Sequence, residues 1–367
     1  MRKRAIFVAA TGQHVGKTTI CLGLISGFKK RYNHIGFIKP IGQEHVEIGK
    51  GICVDKDVSL FKEHFELQAN LALMSPILFP RGFTRDYLDG KVDEEELGNK
   101  IQYSYQSIAQ NCDIVVVEGT GHVGVGSIVN FSNARVANDL DLPLILVASG
   151  GLGSSFDALT VNKALCDAHG AKIGGIILNR VHEDKREMVL HYMKKALKTW
   201  HVPILGCVPF DPFLSTPSMQ DYEVLFNTSL LSGGKHHMRH FRHMRLVVTS
   251  LHDHEFIFPN QLIITSAHRE DIILAILAKH WHMYPMDLAT GIILTEETPP
   301  RSAIIEALRR ADIPMLYVPV SSYKAMEMLT SYTVKIRKED TAKINEAISL
   351  VESHIDFEHL IAIFENE

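Results

Sequence analysis

The stretch Ala5-Ile6-Phe7-Val8-Ala9-Ala10-Thr11-Gly12-Gln13-His14-Val15-Gly16-Lys17-Thr18-Thr19 decides the fold. Ala5 to Ala10 is an apolar run too short for a helix and closed by a glycine loop, so it reads as a buried strand. From Thr18 to Lys30, the residues Ile20, Leu24, Ile25 and Phe28 recur at helical spacing. A strand that turns through glycines into a helix is the setting of a phosphate-binding loop. Gly12 and Gly16 let the backbone turn tightly and aim N–H groups at phosphate oxygens, with Gln13, His14, Val15 and Thr19 completing the cradle. The start of the following helix adds partial positive charge. Lys17 is placed to reach terminal phosphates, and the Thr18 hydroxyl to hold Mg²⁺. The usual pattern carries glycine five residues before Gly16, where this chain has Thr11.

The same alternation continues outward. Strands are predicted at Ile114 to Val117, Leu144 to Ala148, Ile173 to Leu178 and Ile204 to Val208. Helices are predicted at Ser132 to Leu140, Phe156 to Ala168 and Lys185 to Trp200. Continuous apolar strands separated by amphipathic helices imply a mostly parallel sheet with helices on both faces, the P-loop NTPase type of α/β fold. Pro209, Pro212 and Pro217 then break the pattern between Val208 and Tyr222, which reads as a connector. Beyond it comes a second, smaller α/β alternation. Its strands are Leu246 to Thr249, Leu262 to Thr265, Ile292 to Leu294 and Met315 to Val318, and its helices Asp271 to Lys279, Ser302 to Arg310 and Tyr323 to Leu329. A closing helix spans Asp340 to His354. The expected division is 1–212, 218–335, and a C-terminal helix and tail at 336–367.

Composition bounds the function. Apolar residues make up 46% of the 367 and charged residues 22%, which excludes a disordered or coiled-coil chain. With 38 Lys and Arg against 42 acids, the net charge of -4 gives no global footprint for nucleic acid. Cys21, Cys53, Cys112, Cys166 and Cys207 are odd in number and scattered, so a disulfide framework is not expected and a reducing, cytoplasmic setting is. No apolar run approaches the roughly 20 residues of a membrane span.

A nucleotide held with Mg²⁺ needs carboxylates at strand ends. Glu118 follows the strand Ile114 to Val117 and precedes Gly119-Thr120-Gly121, at the edge that faces a ligand crevice. The alternative is a strand-end carboxylate that caps the adjacent loop. Asp57 is a second metal candidate, with Asp55 competing, unless it is a solvated acid at a helix start. Lys39, after the apolar stretch Ile35 to Ile38, could set a positive charge over a phosphate or an anionic substrate, or lie on the surface. Asn179 could read a base edge through its amide, or serve as a turn residue.

These residues together resemble the dethiobiotin synthetase family. The matching features are Ala10-Thr11 with Val15-Gly16-Lys17-Thr18, Phe37-Ile38-Lys39-Pro40, and Val115-Val116-Val117-Glu118-Gly119-Thr120-Gly121. Leu152-Gly153-Ser154-Ser155, Ile176-Ile177-Leu178-Asn179-Arg180 and Leu205-Gly206-Cys207-Val208-Pro209 follow in order. In that family ATP phosphorylates a carbamate made from a diamine and CO2. The resemblance implies that Lys17 and Thr18 hold phosphates and Mg²⁺, and that Asp57 and Glu118 complete the metal site. It further implies that Lys39 contacts the carbamate, that Asn179 and the Pro209 region lie near adenine, and that the chain forms a homodimer. Gln43 stands where that family usually carries a small hydroxyl residue. Gly12 stands where the ParA/MinD branch of P-loop proteins carries a second lysine, which disfavours that branch.

The region from about 218 to 330 resembles the DRTGG domain, through Leu262-Ile263-Ile264-Thr265-Ser266-Ala267-His268-Arg269-Glu270-Asp271-Ile272 and Gly291-Ile292-Ile293-Leu294-Thr295. His268 replaces the usual Asp, and Glu296-Glu297 replace two glycines. Two acids there would repel a phosphate and restrict the backbone. The pairing of the two domains resembles the N-terminal regulatory half of long bacterial phosphate acetyltransferases, without the acetyltransferase domain. Two readings follow. One is an ATP–Mg²⁺-binding regulator whose second domain senses a metabolite or docks a partner. The other is an ATP-dependent ligase acting on a carbamate or carboxylate.

Of 20 histidines, nine lie between His236 and His282. If Lys235 to His243 were helical, His236, His240 and His243 would share a face as metal ligands do, although Lys235, Arg239 and Arg242 oppose a dication. The alternative is a basic segment that becomes an anion patch when its histidines protonate.

Overall fold

The computed structural model describes residues 4–49, 51, 53–248 and 257–365. The chain forms two compact units, Met1–Asp211 with Ile336–Glu367, and Pro212–Lys335.

The first unit is built on a six-stranded parallel sheet. Its strands are β1 (Arg4–Ala10), β2 (Ile35–Ile38), β3 (Ile114–His122), β4 (Leu144–Ser149), β5 (Ile173–Val181) and β6 (Ile204–Pro209), in spatial order β6-β5-β4-β1-β3-β2. Helix α1 (Lys17–Lys29) follows β1, α2 (Lys56–Phe65) and α3 (Glu94–Ala109) lie between β2 and β3, and α4 (Asn133–Asp139), α5 (Gly153–His169) and α6 (Arg186–Ala196) join the later strands. Every residue of β1 from Ala5 to Ala10 is buried, so both its faces are covered, as the unbroken apolar run implies. The chain crosses from β1 to β2 on one side and later returns to β4 on the other. Such a switch point opens a crevice beyond the carboxyl ends of the strands.

Two strands run further than the sequence suggests. β3 continues to His122, so Glu118 lies within the strand, where its register with β1 shifts between Val8 and Ala10. β5 continues to Val181, so Asn179 is a strand residue paired with Ser149 and not a turn residue.

The second unit carries four parallel strands in sequential order, β7 (His243–Leu246), β8 (Gln261–Ser266), β9 (Gly291–Thr295) and β10 (Met315–Tyr317). Alternate residues of β8 and β9 feed two cores. Ile263, Ile292 and Leu294 pack with α8 (Glu270–Met283) and α9 (Ser302–Arg310). Leu262, Ile264 and Ile293 pack with α7 (Met219–Phe226) and α10 (Ser322–Ser331). The expected strand Leu246 to Thr249 sits three residues earlier, and Thr249 lies outside the described residues. The proline-rich connector ends sooner than expected, because Ser218 starts α7 with a capping box through Asp221.

The segment after residue 335 returns to the first unit. Helix α11 (Thr341–Glu352) packs on α1, and α12 (Phe357–Glu365) follows where the sequence reading left only a tail. Gly23 and Gly27 of α1 permit this contact: a Cβ on Gly23 would strike Val351, and one on Gly27 would strike the Phe357 ring. Between the helices, the Cys207 N–H donates to His354 O (3.3 Å) and the Asp356 N–H to Leu205 O (2.8 Å), so the segment caps the edge of β6.

Candidate functional site

The loop after β1 is shaped by one glycine and one distant amide. Gly16 starts α1 with φ 96°, a conformation that side-chain-bearing residues rarely adopt, and a Cβ there would collide with Asn179 Nδ2. That nitrogen donates to Val15 O at 2.8 Å, and Asn179 is buried. Its role in the structure is therefore to tie β5 to the loop, which no short-range pattern reveals. Asn162 of α5 does the same from another side: its Nδ2 donates to Thr11 O (3.1 Å) and its Oδ1 accepts from Val123 N (3.1 Å). Arg180 adds a bond to His14 O at 3.1 Å. Gly12 has room for a side chain, since a Cβ would meet only Val15 at 3.6 Å, so its freedom is not what shapes the turn. Gln13 and His14 are exposed, Val15 is buried, and Thr18 and Thr19 are half-buried.

The polar groups converge beneath this loop. Lys17 Nζ donates to Gly121 O at 2.7 Å, and Thr18 Oγ1 donates to Glu118 Oε1 at 3.1 Å. Glu118 Oε2 is buried without a hydrogen-bond partner. Lys39 is buried against both candidate acids at the start of α2, bonding Asp57 Oδ2 and lying 3.1 Å from Asp55 Oδ1. Asp55 caps α2 by accepting from Asp57 N at 3.0 Å, and its Oδ2 also has no partner. The cluster thus holds two cations and three carboxylates.

Burial sets the electrostatics. It pushes the Glu118 carboxyl up to about 7, with Asp57 and Asp55 reinforcing it against Lys39 and Lys17. Burial also raises Asp55, against the pull of Lys39. For Asp57 the burial effect is overcome by Lys39, and its carboxyl stays below the ordinary range. Burial works against the charge on Lys39, but Asp57, Glu118 and Asp55 outweigh it and hold the proton firmly. Lys17 is lowered by burial, with Glu118 opposing.

The donor set fits a magnesium ion shared with a phosphate. Mg²⁺ takes oxygen ligands, keeps waters, and is held through one or two carboxylates together with phosphate oxygens. The unpartnered Glu118 Oε2 beside the Thr18 hydroxyl supplies such a position. Among the described residues no three His, Cys, Asp or Glu side chains are grouped so as to hold a metal ion by themselves.

Near the expected adenine region, Pro209 is half-buried at the end of β6 and pairs with Val181. The sequence reading missed Phe210 as a partner there: the Arg180 guanidinium lies 5.5 Å from its ring centroid, and the His182 ring 5.5 Å away.

The histidine segment leaves a 3-10 turn at His236 and is not helical from His237 to His243, so the shared ligand face does not form. His236 Nε2 lies 3.0 Å from Asp312 Oδ2, His237 Nδ1 2.5 Å from Glu223 Oε2, and His240 Nδ1 3.1 Å from Thr216 O. Acids therefore face two of the histidines, which counters the anion patch. In the same unit Glu296 takes φ 86°, the conformation that a glycine there would adopt freely, and the Tyr317 hydroxyl donates to Glu296 O (2.9 Å) and Glu297 O (2.7 Å).

A parallel sheet with a glycine–lysine–threonine turn at its switch point defines a P-loop nucleotide-binding protein. Residues 4–218 match the AAA domain family AAA_26, and the chain belongs to it. Residues 225–332 match the DRTGG domain. The phosphate acetyltransferase of Nitrosomonas europaea is 26% identical over 97% of this chain and 51% of its own length. That of Pseudomonas aeruginosa is 28% identical over 96% and 51%. The ATP-dependent dethiobiotin synthetase BioD of Bacillus subtilis is 28% identical over 56% of this chain and 87% of its own. The chain spans about half the length of the phosphate acetyltransferases it matches, and corresponds to their N-terminal part.

Proposed function

We propose that the first unit binds ATP with Mg²⁺ and that the chain acts as a nucleotide-binding regulator, its DRTGG unit sensing a small metabolite. The observation that carries this reading is the Lys39 head group. It is buried and engaged by Asp55 and Asp57, and so is not presented to a carboxylate or carbamate substrate. Lys17, Thr18, Glu118 and Asp57 equip the site to hold a charged nucleotide. Thr18, Glu118 and Asp57 are the residues that would hold the metal, which would neutralise phosphate charge when bound. Lys17 is the mobile element of this reading. It exchanges its bond to Gly121 O for a phosphate oxygen, while Asn179 and Asn162 keep the loop still. Homodimerisation and a cytoplasmic location belong to the same proposal; the five free cysteines support a reducing compartment.

A second reading is an ATP-dependent ligase of the dethiobiotin or cobyrinate amide synthase type. Its support is the retention of Lys17, Thr18, Lys39, Asp57 and Glu118 in a single cluster. Purified protein with ATP, Mg²⁺, bicarbonate and diaminopelargonate separates the two. The regulatory reading expects no diamine-dependent release of ADP, and diamine-dependent turnover overturns it.

A further inference from the structure

A groove of about 550 Å³ lies in the first unit where α6, the start of β6 and the start of α12 meet. The phosphate-binding loop follows the carboxyl end of β1, whereas this groove sits at the opposite, amino end of the parallel strands. Its floor is apolar, from Leu197, Val202, Pro203 and Ile204. Its rim carries Lys194, Lys198, His201 and His359, with Asp356 as the one carboxylate lining it.

Lysines near the end of a helix are expected from the backbone dipole alone, and Lys194 and Lys198 follow that rule. The dipole does not explain why His201, from the turn before β6, and His359, from the first turn of α12, converge on the same groove. Asp356, which accepts from His359 N at 3.0 Å, supplies one negative charge against the two lysines. Neither lysine forms an ion pair with a carboxylate among the described residues. In a chain of net charge -4, two unpaired lysines face a single carboxylate here above an apolar floor.

We infer that this groove is a second ligand site, for a small phosphate-bearing metabolite whose charged end meets Lys194 and Lys198 while an apolar or ring portion covers Val202 and Ile204. The site is separate from the nucleotide loop and does not depend on the regulatory reading.

The test uses inorganic pyrophosphate as the probe in calorimetric titrations. Lys17→Ala removes the loop's grip on phosphate and isolates the groove. The expected result is one pyrophosphate bound per Lys17→Ala chain, weakened by at least about tenfold when Lys194→Glu and Lys198→Glu are added. Both lysines are exposed, so the charge reversals leave the fold in place, which an unchanged circular dichroism spectrum verifies. Absence of binding to the Lys17→Ala protein overturns the inference. So does equal affinity with and without the two charge reversals. Neither outcome touches ATP binding by the unmutated chain, so the two sites stand or fall separately.

Discussion

Lowering the pH from 7.5 to 6.0 is expected to weaken ATP–Mg²⁺ binding by about eightfold, through Glu118. The metal needs this carboxylate ionised, and its carboxyl lies at about 7 because it is buried. A group at that value is roughly three-quarters ionised at pH 7.5 and roughly a tenth ionised at pH 6.0, and the ratio sets the loss in affinity. Without ligand the sign reverses. The folded value lies above the ordinary 4.5, so Glu118 contributes stability that is present below the ordinary carboxylate range and lost as pH rises through about 7. The upper bound is about 3 kcal/mol over that window. The assay is a fluorescence titration with a labelled ATP at fixed free Mg²⁺, run on the natural protein and on Glu118→Gln. The variant cannot titrate, so its affinity is lower throughout and its pH dependence is only that of the nucleotide and the remaining groups, Asp55 among them. If the two proteins show the same slope between pH 6.0 and 7.5, Glu118 does not control the metal and the reasoning fails.

Other substitutions test the supports of the site. Asn179→Ala removes the bond to Val15 O and leaves a buried carbonyl unsatisfied, so it should cost about 1–3 kcal/mol in denaturant unfolding of the first unit and weaken nucleotide binding. Lys39→Met strips Asp55 and Asp57 of their buried cation and should destabilise by about 3–5 kcal/mol; an unchanged unfolding midpoint would show that the ion pairs are dispensable. Gly27→Ala forces a methyl group into the Phe357 ring and should cost about 1–3 kcal/mol, read as increased proteolysis of the C-terminal helices.

The first strand and α1 were legible because their pattern is local: an apolar run, a glycine turn and a 3.6-residue period lie next to one another in sequence. The groups beneath the loop were legible as types, since Asp57 and Lys39 stand beside a helix start and a strand end and Glu118 directly follows the apolar run Ile114 to Val117. Their arrangement was not. The pairing of Lys39 with both acids depends on how α2 folds back on the end of β2, and the amide of Asn179 reaches a carbonyl 164 residues away. The final helix escaped notice although Phe357, Leu360, Ile361 and Phe364 fall at helical spacing, because the interleaved acids masked the period. The histidine run misled for the opposite reason. Spacings of three and four suggest a shared face only if the backbone is helical, and here the segment carries a single 3-10 turn before β7.

The central claim is that the loop from Thr11 to Thr19 grips a nucleotide and its metal. Calorimetric titration of ATP into the protein with excess Mg²⁺ tests it directly, with Lys17→Ala as the matched control. The account predicts one ATP bound per chain, dependent on Mg²⁺, with no detectable heat in the variant. Absence of heat in the natural protein, or equal binding by both, would contradict it.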